Sequence, residues 1–129
     1  MFLFCPAIAQ MKKICIFKGV EISFNLKHDD SIIEKGKYDF EFLKHQTQVS
    51  FYLRIKKKRK AVCLIQGEEL AYKSSGYYER SEDPNIPEQA KLRFLKNPKK
   101  GIVDILFESG KRAIAYPYVK LRFRMEYEE

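Results

Sequence analysis

Four stretches of this chain alternate apolar and polar residues one for one. Val20, Ile22, Phe24 and Leu26 alternate with Glu21, Ser23, Asn25 and Lys27. Tyr38, Phe40 and Phe42 enclose Asp39 and Glu41. Val49, Phe51, Leu53 and Ile55 alternate with Ser50, Tyr52, Arg54 and Lys56, and Val119, Leu121, Phe123 and Met125 with Lys120, Arg122 and Arg124. Side chains two apart share one face of a strand but are spread around a helix. The pattern therefore predicts strands with one buried and one wetted face.

Shorter apolar runs fill the gaps: Ile14–Phe17, Ala61–Gln66, Leu92–Leu95, Ile102–Phe107 and Ala113–Tyr116. Asn97-Pro98-Lys99-Lys100-Gly101 reads as a turn, Ser109-Gly110 as a hairpin turn, and Gly36 as a sharp lead into the strand of Tyr38. Pro117 implies an edge, a bulge or a corner. The 10 Phe and 8 Tyr suit strand packing. Short strands at this spacing predict an all-β fold, an antiparallel β-sandwich, with a small closed or partly open β-barrel as the alternative. A length of 129 residues fits a single domain, placed at 10–129. Only Pro87–Lys91 reads as a helical turn. Ala71–Ala90 reads as a long polar connection, with Tyr72, Tyr77, Tyr78 and Arg80 as contact candidates.

Residues 1–9 read as the end of an export signal. An apolar run reaches Pro6 and then Ala7-Ile8-Ala9, the small-x-small pattern of signal-peptidase cleavage. The mature chain would start at Gln10 and work in the periplasm or outside the cell. The alternative is a cytoplasmic protein whose apolar start is an edge strand holding Pro6. No apolar stretch approaches the roughly 20 residues of a membrane-spanning helix. Cleavage would remove Cys5 and leave Cys15 and Cys63, an even pair for an oxidising compartment. The expectation is a Cys15–Cys63 disulfide, with two small buried thiols as the alternative.

A net charge of +8 favours anionic partners: lipid headgroups, glycans or nucleic acid. The densest basic run, Lys56 to Lys60, lies between two predicted strands and therefore at a hairpin tip. Lys57, Lys58, Arg59 and Lys60 are the first candidates for touching an anionic surface. Arg54, Arg122 and Arg124 come next. Alternation turns them away from the core, along with Tyr52, Lys56, Lys91, Arg93 and Lys120. On one shared sheet they would form a basic face with an aromatic ring, suited to phosphates and stacked bases. Their aliphatic stems can equally cover an ordinary sheet face.

Catalytic chemistry finds no foothold. His28 precedes Asp29-Asp30, His45 is placed in a loop, and Glu68-Glu69 likewise. No nucleophile elbow, P-loop, HExxH or Cys/His zinc spacing occurs. The residues predict no metal, no cofactor and no enzyme. They predict an exported binding or envelope-associated module that contacts anionic ligands. The alternatives are a nucleic-acid-binding barrel and a barrel carrying a small apolar ligand.

One longer pattern joins these readings. Val20-Glu21-Ile22-Ser23-Phe24 leads through a short loop to Ile33-Glu34-Lys35-Gly36-Lys37-Tyr38-Asp39-Phe40, and a hairpin over Val49–Gln66 follows. Val20–Phe42 resembles a pattern in secreted bacterial β-sandwich proteins of unassigned role, where Gly-Lys-Tyr or Gly-Thr-Tyr opens the second strand. Those proteins carry Pro-Ala or Ala before the glycine; this chain has Glu34-Lys35. The resemblance covers about half the chain and implies export and a sandwich, but no activity. Intact-mass measurement of the chain recovered from an exporting host should show a mature N-terminus at Gln10. A retained Met1–Ala9 segment would remove the export reading.

Overall fold

The computed structural model describes residues 11–70, 90–108 and 119–129. Among the described residues ten strands follow one another: β1 (Met11–Ile22), β2 (Asn25–His28), β3 (Ser31–Ile33), β4 (Gly36–His45), β5 (Phe51–Lys57), β6 (Lys60–Gln66), β7 (Glu68–Glu69), β8 (Lys91–Asn97), β9 (Ile102–Glu108) and β10 (Lys120–Glu128). No helix occurs among the described residues, and so none long and apolar enough to cross a membrane. All pairings are antiparallel. One sheet has the order β1-β4-β5-β6. The other has the order β3-β2-β10-β9-β8, with β7 also paired to β10. The two sheets do not close into a barrel; they pack face to face as a β-sandwich.

Alternation explains what meets between them. Phe40 and Phe42 of β4, Leu53 and Ile55 of β5, Ile105 and Phe107 of β9, and Leu121 and Phe123 of β10 are all fully buried in one cluster. Phe42 stacks on Phe107 with ring centroids 4.1 Å apart and leans on Phe123 at 5.5 Å. Phe17 meets Phe107 edge-on at 6.1 Å, and Phe40 meets Phe94 at 5.6 Å. Each such pair adds about 0.5–1.5 kcal/mol beyond its buried area. The rings that an apolar-ligand carrier would use to line a cavity are here packed on one another.

Among the described residues the chain changes sheets three times: from β1 to β2, from β3 back to β4, and from β6 to β7. Val20–Leu26 is not one strand: β1 ends at Ile22 in the first sheet and β2 begins at Asn25 in the second. The alternation survives because Ile22, Phe24 and Leu26 all point into the same interior. The last of these corners is the single residue Gly67, between β6 and β7. Its N–H donates to the Phe51 carbonyl at 2.8 Å, and a Cβ built there would overlap ring carbons of Phe123.

Several sequence expectations change. Val49 is 79% exposed, and β5 begins only at Phe51, after the His45 N–H has closed a loop on the Ser50 carbonyl. His45 ends β4 rather than lying in a loop, and Glu68-Glu69 forms β7. Lys91, the end of the expected helical turn, opens β8. Asn97–Gly101 does turn between β8 and β9, with the Lys100 N–H bonded to the Asn97 carbonyl at 3.1 Å. The runs around Ser109-Gly110, Ala113–Tyr116 and Pro117, residues 1–10, and residues 71–89 with Tyr72, Tyr77, Tyr78 and Arg80 lie outside the described residues.

The Cys15–Cys63 disulfide is not formed. Both thiols are free. Cys15 is on β1 and Cys63 on β6, with β4 and β5 between them. Three strand spacings of about 4.8 Å put them roughly 14 Å apart, well beyond the ~4.4–6.8 Å between Cα atoms that a disulfide spans. Burial, reinforced by the charge of Asp29, pushes the Cys63 thiol up to about 11, so it is an unreactive core residue.

Gly67→Ala should lower stability in urea unfolding by about 1–3 kcal/mol, the range for overpacking a filled site. Gly19, with φ +64 and open space around its Cα, should cost less as alanine, about 1 kcal/mol of backbone strain. Equal losses at the two positions would show that the Phe123 ring yields.

Candidate functional site

The hairpin tip forms as the sequence predicts. β5 and β6 pair out to Lys57 and Lys60, which leaves a two-residue turn of Lys58 and Arg59. Both turn residues take positive φ, 50° and 71°, as a type I′ hairpin turn requires. Asn and Gly fill such positions with little strain, whereas long side chains occupy them at a cost. The turn therefore carries two cations where the backbone would prefer none. Lys57, Lys58, Arg59 and Lys60 are all exposed and form no ion pair with a described residue. The Lys57 ammonium sits 5.0 Å from the ring centroid of Tyr38. Tyr38 is itself buried and donates its hydroxyl to the Glu34 carbonyl. A cation–π contact of this kind fixes the base of the prong.

The second group of predicted residues is split. Arg54 lies on β5, in the four-stranded sheet; Arg122 and Arg124 lie on β10, in the six-stranded sheet. Each points away from the interior, so they face opposite sides of the sandwich and share no patch. All three are also matched by carboxylates. Arg122 holds Glu68 of β7 at 2.6 Å, and Arg124 holds both oxygens of Asp104 on β9 at 2.8 and 3.1 Å. The Arg124 hydrogen bonds keep the Asp104 carboxyl below its usual range despite partial burial. Sequence could not show this, because the partner of each arginine lies on another strand.

Arg54 leads to the residue that sequence reasoning missed. Glu41 sits opposite Arg54 on β4 and is 1% exposed, although Phe40 and Phe42 on either side point to the core and Glu41 to the outer face. Three cations cover it: Arg54 Nε at 2.7 Å, Lys13 Nζ at 3.2 Å and Lys56 Nζ at 3.5 Å. Burial by itself would raise the Glu41 carboxyl; the hydrogen bonds and charges of Arg54 and Lys13 outweigh it and hold the carboxyl below its ordinary 4.5. One buried carboxylate thus organises three cations on the outer face. Its only sequence signal was an acidic residue at the centre of an alternating strand with lysine-rich neighbours.

Charge is unevenly divided between the sheets. The strands of the four-stranded sheet and its tip carry eleven Lys/Arg against three Asp/Glu, a net +8. The strands of the six-stranded sheet carry seven against six, a net +1. The second sheet also holds a shallow cleft of about 330 Å³ lined by Lys27, His28, Asp29, Lys100, Arg124 and Glu126. Its mixed charges, with His28 3.5 Å from Asp29, give it no preferred ligand sign. No group of three His, Cys, Asp or Glu side chains suited to a metal occurs among the described residues. No family model matches the chain, and no curated protein or solved structure matches it.

Glu41→Gln should destabilise the fold by about 1–3 kcal/mol, less than the ~3–5 kcal/mol of a wholly buried pair because its cations are partly wet. In the wild type the contribution is present above the unfolded carboxylate range near 4.5. It is lost as pH falls through the lower folded value, so the stability gap between wild type and variant should close in acid. Urea titrations at neutral and acid pH check both; a gap unchanged by pH would detach it from the Glu41 charge.

Proposed function

We propose that the protein is a non-catalytic, exported binding module that recognises anionic surfaces through the four-stranded sheet and its basic tip. The observation that carries this reading is the charge division. The chain's net +8 is matched by the strands and tip of one sheet, while the other sheet neutralises its own cations. A field so concentrated attracts anionic lipid headgroups or acidic glycans and orients the molecule towards them. Lys57, Lys58, Arg59 and Lys60 supply the first contact. Arg54, tied to Glu41, belongs to the supporting face; Arg122 and Arg124, on the far side, play no part in it. Export rests on the Ala7-Ile8-Ala9 pattern and accords with an envelope surface as partner.

Replacing the tip by Asn-Gly (Lys58→Asn, Arg59→Gly) separates charge from structure. The new pair suits the type I′ turn and should raise stability by about 1 kcal/mol. It should also weaken binding to vesicles containing an anionic phospholipid, or to a sulfated polysaccharide. Wild-type binding should fall as salt rises and the Debye length shrinks from about 10 Å at 0.1 M. Co-sedimentation that ignores both salt and the tip exchange would sink the proposal.

A further inference from the structure

The sandwich has sheet edges, and most of them are blunted among the described residues. β1 carries two register breaks along β4, between Lys13 and Cys15 and between Phe17 and Val20. β6 is paired to β5 across a bulge at the Ile55/Lys56 step. β3 and β7 are only three and two residues long. Bulges and short strands are the usual means by which an edge is kept from pairing with another chain.

β8 lacks both devices. It pairs with β9 in unbroken register from Lys91 opposite Glu108 to Asn97 opposite Ile102. No described strand pairs with its other side. Its two faces differ. Towards the interior lie Leu92 and Phe94, opposite Phe107 and Ile105, and both are only partly buried against the core. On the outer face lie Lys91, Arg93 and Leu95. Leu95 is 51% exposed, Arg93 is exposed and has the uncharged Leu106 opposite it, and Lys91 has Glu108. Lys96 is already engaged: it bonds Glu129 at 2.7 Å and caps the Phe24 ring.

We infer that β8 is a docking edge for an extended segment of a partner protein in which acidic residues alternate with apolar ones. The main-chain groups of β8 would add that segment as a further strand, the mode called β-augmentation. Its apolar side chains would continue the layer of Leu92 and Phe94, and its carboxylates would lie beside Lys91 and Arg93. Cross-strand neighbours of opposite charge stabilise such a pair, whereas like charges oppose it. The same cations oppose a β8-to-β8 pairing of two copies in every register that sets Lys91 or Arg93 opposite another cation. The docking edge belongs to the six-stranded sheet and is independent of the basic tip.

The test uses a synthetic peptide of alternating Glu and Val. Fluorescence anisotropy measures its binding to the full chain, and amide hydrogen exchange locates it. The peptide should bind and protect amides of Lys91–Asn97, and that protection should persist in the Lys58→Asn, Arg59→Gly protein. An alternating Lys-Val peptide, or a Glu-Val peptide N-methylated along its backbone, should bind about tenfold more weakly or worse. Lys91→Glu with Arg93→Glu, both at exposed positions, should exchange the preferences of the Glu-Val and Lys-Val peptides; circular dichroism confirms that the variant folds. Equal binding of the N-methylated peptide, protection elsewhere than β8, or no binding of the Glu-Val peptide would overturn the inference.

Discussion

The structure depends on rings that meet between the sheets. Phe42 of the four-stranded sheet lies flat on Phe107 of the six-stranded sheet and touches Phe123, and all three are fully buried. A strand has two faces, so committing one to this seam commits every odd or every even residue of β4, β9 and β10 at once. Charged side chains are then driven outward, and the two outer faces of the sandwich become separate surfaces. The corner at Gly67 belongs to the same constraint: the chain leaves β6 and enters β7 so close to Phe123 that no side chain fits.

The outward-driven charges meet different fates on the two faces. In the six-stranded sheet, Asp104 lies opposite Arg124 and Glu68 opposite Arg122, so attraction is satisfied locally. In the four-stranded sheet, Glu41 is the one carboxylate among Lys13, Arg54 and Lys56. It pins their head groups yet leaves that face positive. At the end of the same sheet Lys58 and Arg59 occupy positive-φ turn positions that Asn and Gly fill more easily. Charge that no described residue matches and turn strain coincide at the tip.

Edges are treated as unevenly as charges. Bulges interrupt β1 and the β5–β6 pair, while β8 runs in steady register with a half-open apolar side and a basic side. The molecule thus presents two surfaces of different character: a basic prong, and an edge strand whose outer face carries Lys91 and Arg93.

The strands and the tip were legible because their signals are local. Alternation at Tyr38–Phe42 or Val119–Met125 depends on side chains two apart, and the Lys56–Lys60 run on immediate neighbours. Misreadings arose where local pattern met a non-local fact. Val20–Leu26 reads as one strand, but only the packing of two sheets makes it a corner. Cys15 and Cys63 look like partners until strand order inserts β4 and β5 between them. Arg54, Arg122 and Arg124 look alike in sequence, but register gives each its own carboxylate and places them on opposite faces. The sequence by itself determined that the chain makes strands, which side chains go inward, and where charge is densest. Tertiary structure alone decided which strands are neighbours. That choice settles which charges cancel, because pairing across a sheet joins residues whose separation along the chain carries no periodic trace.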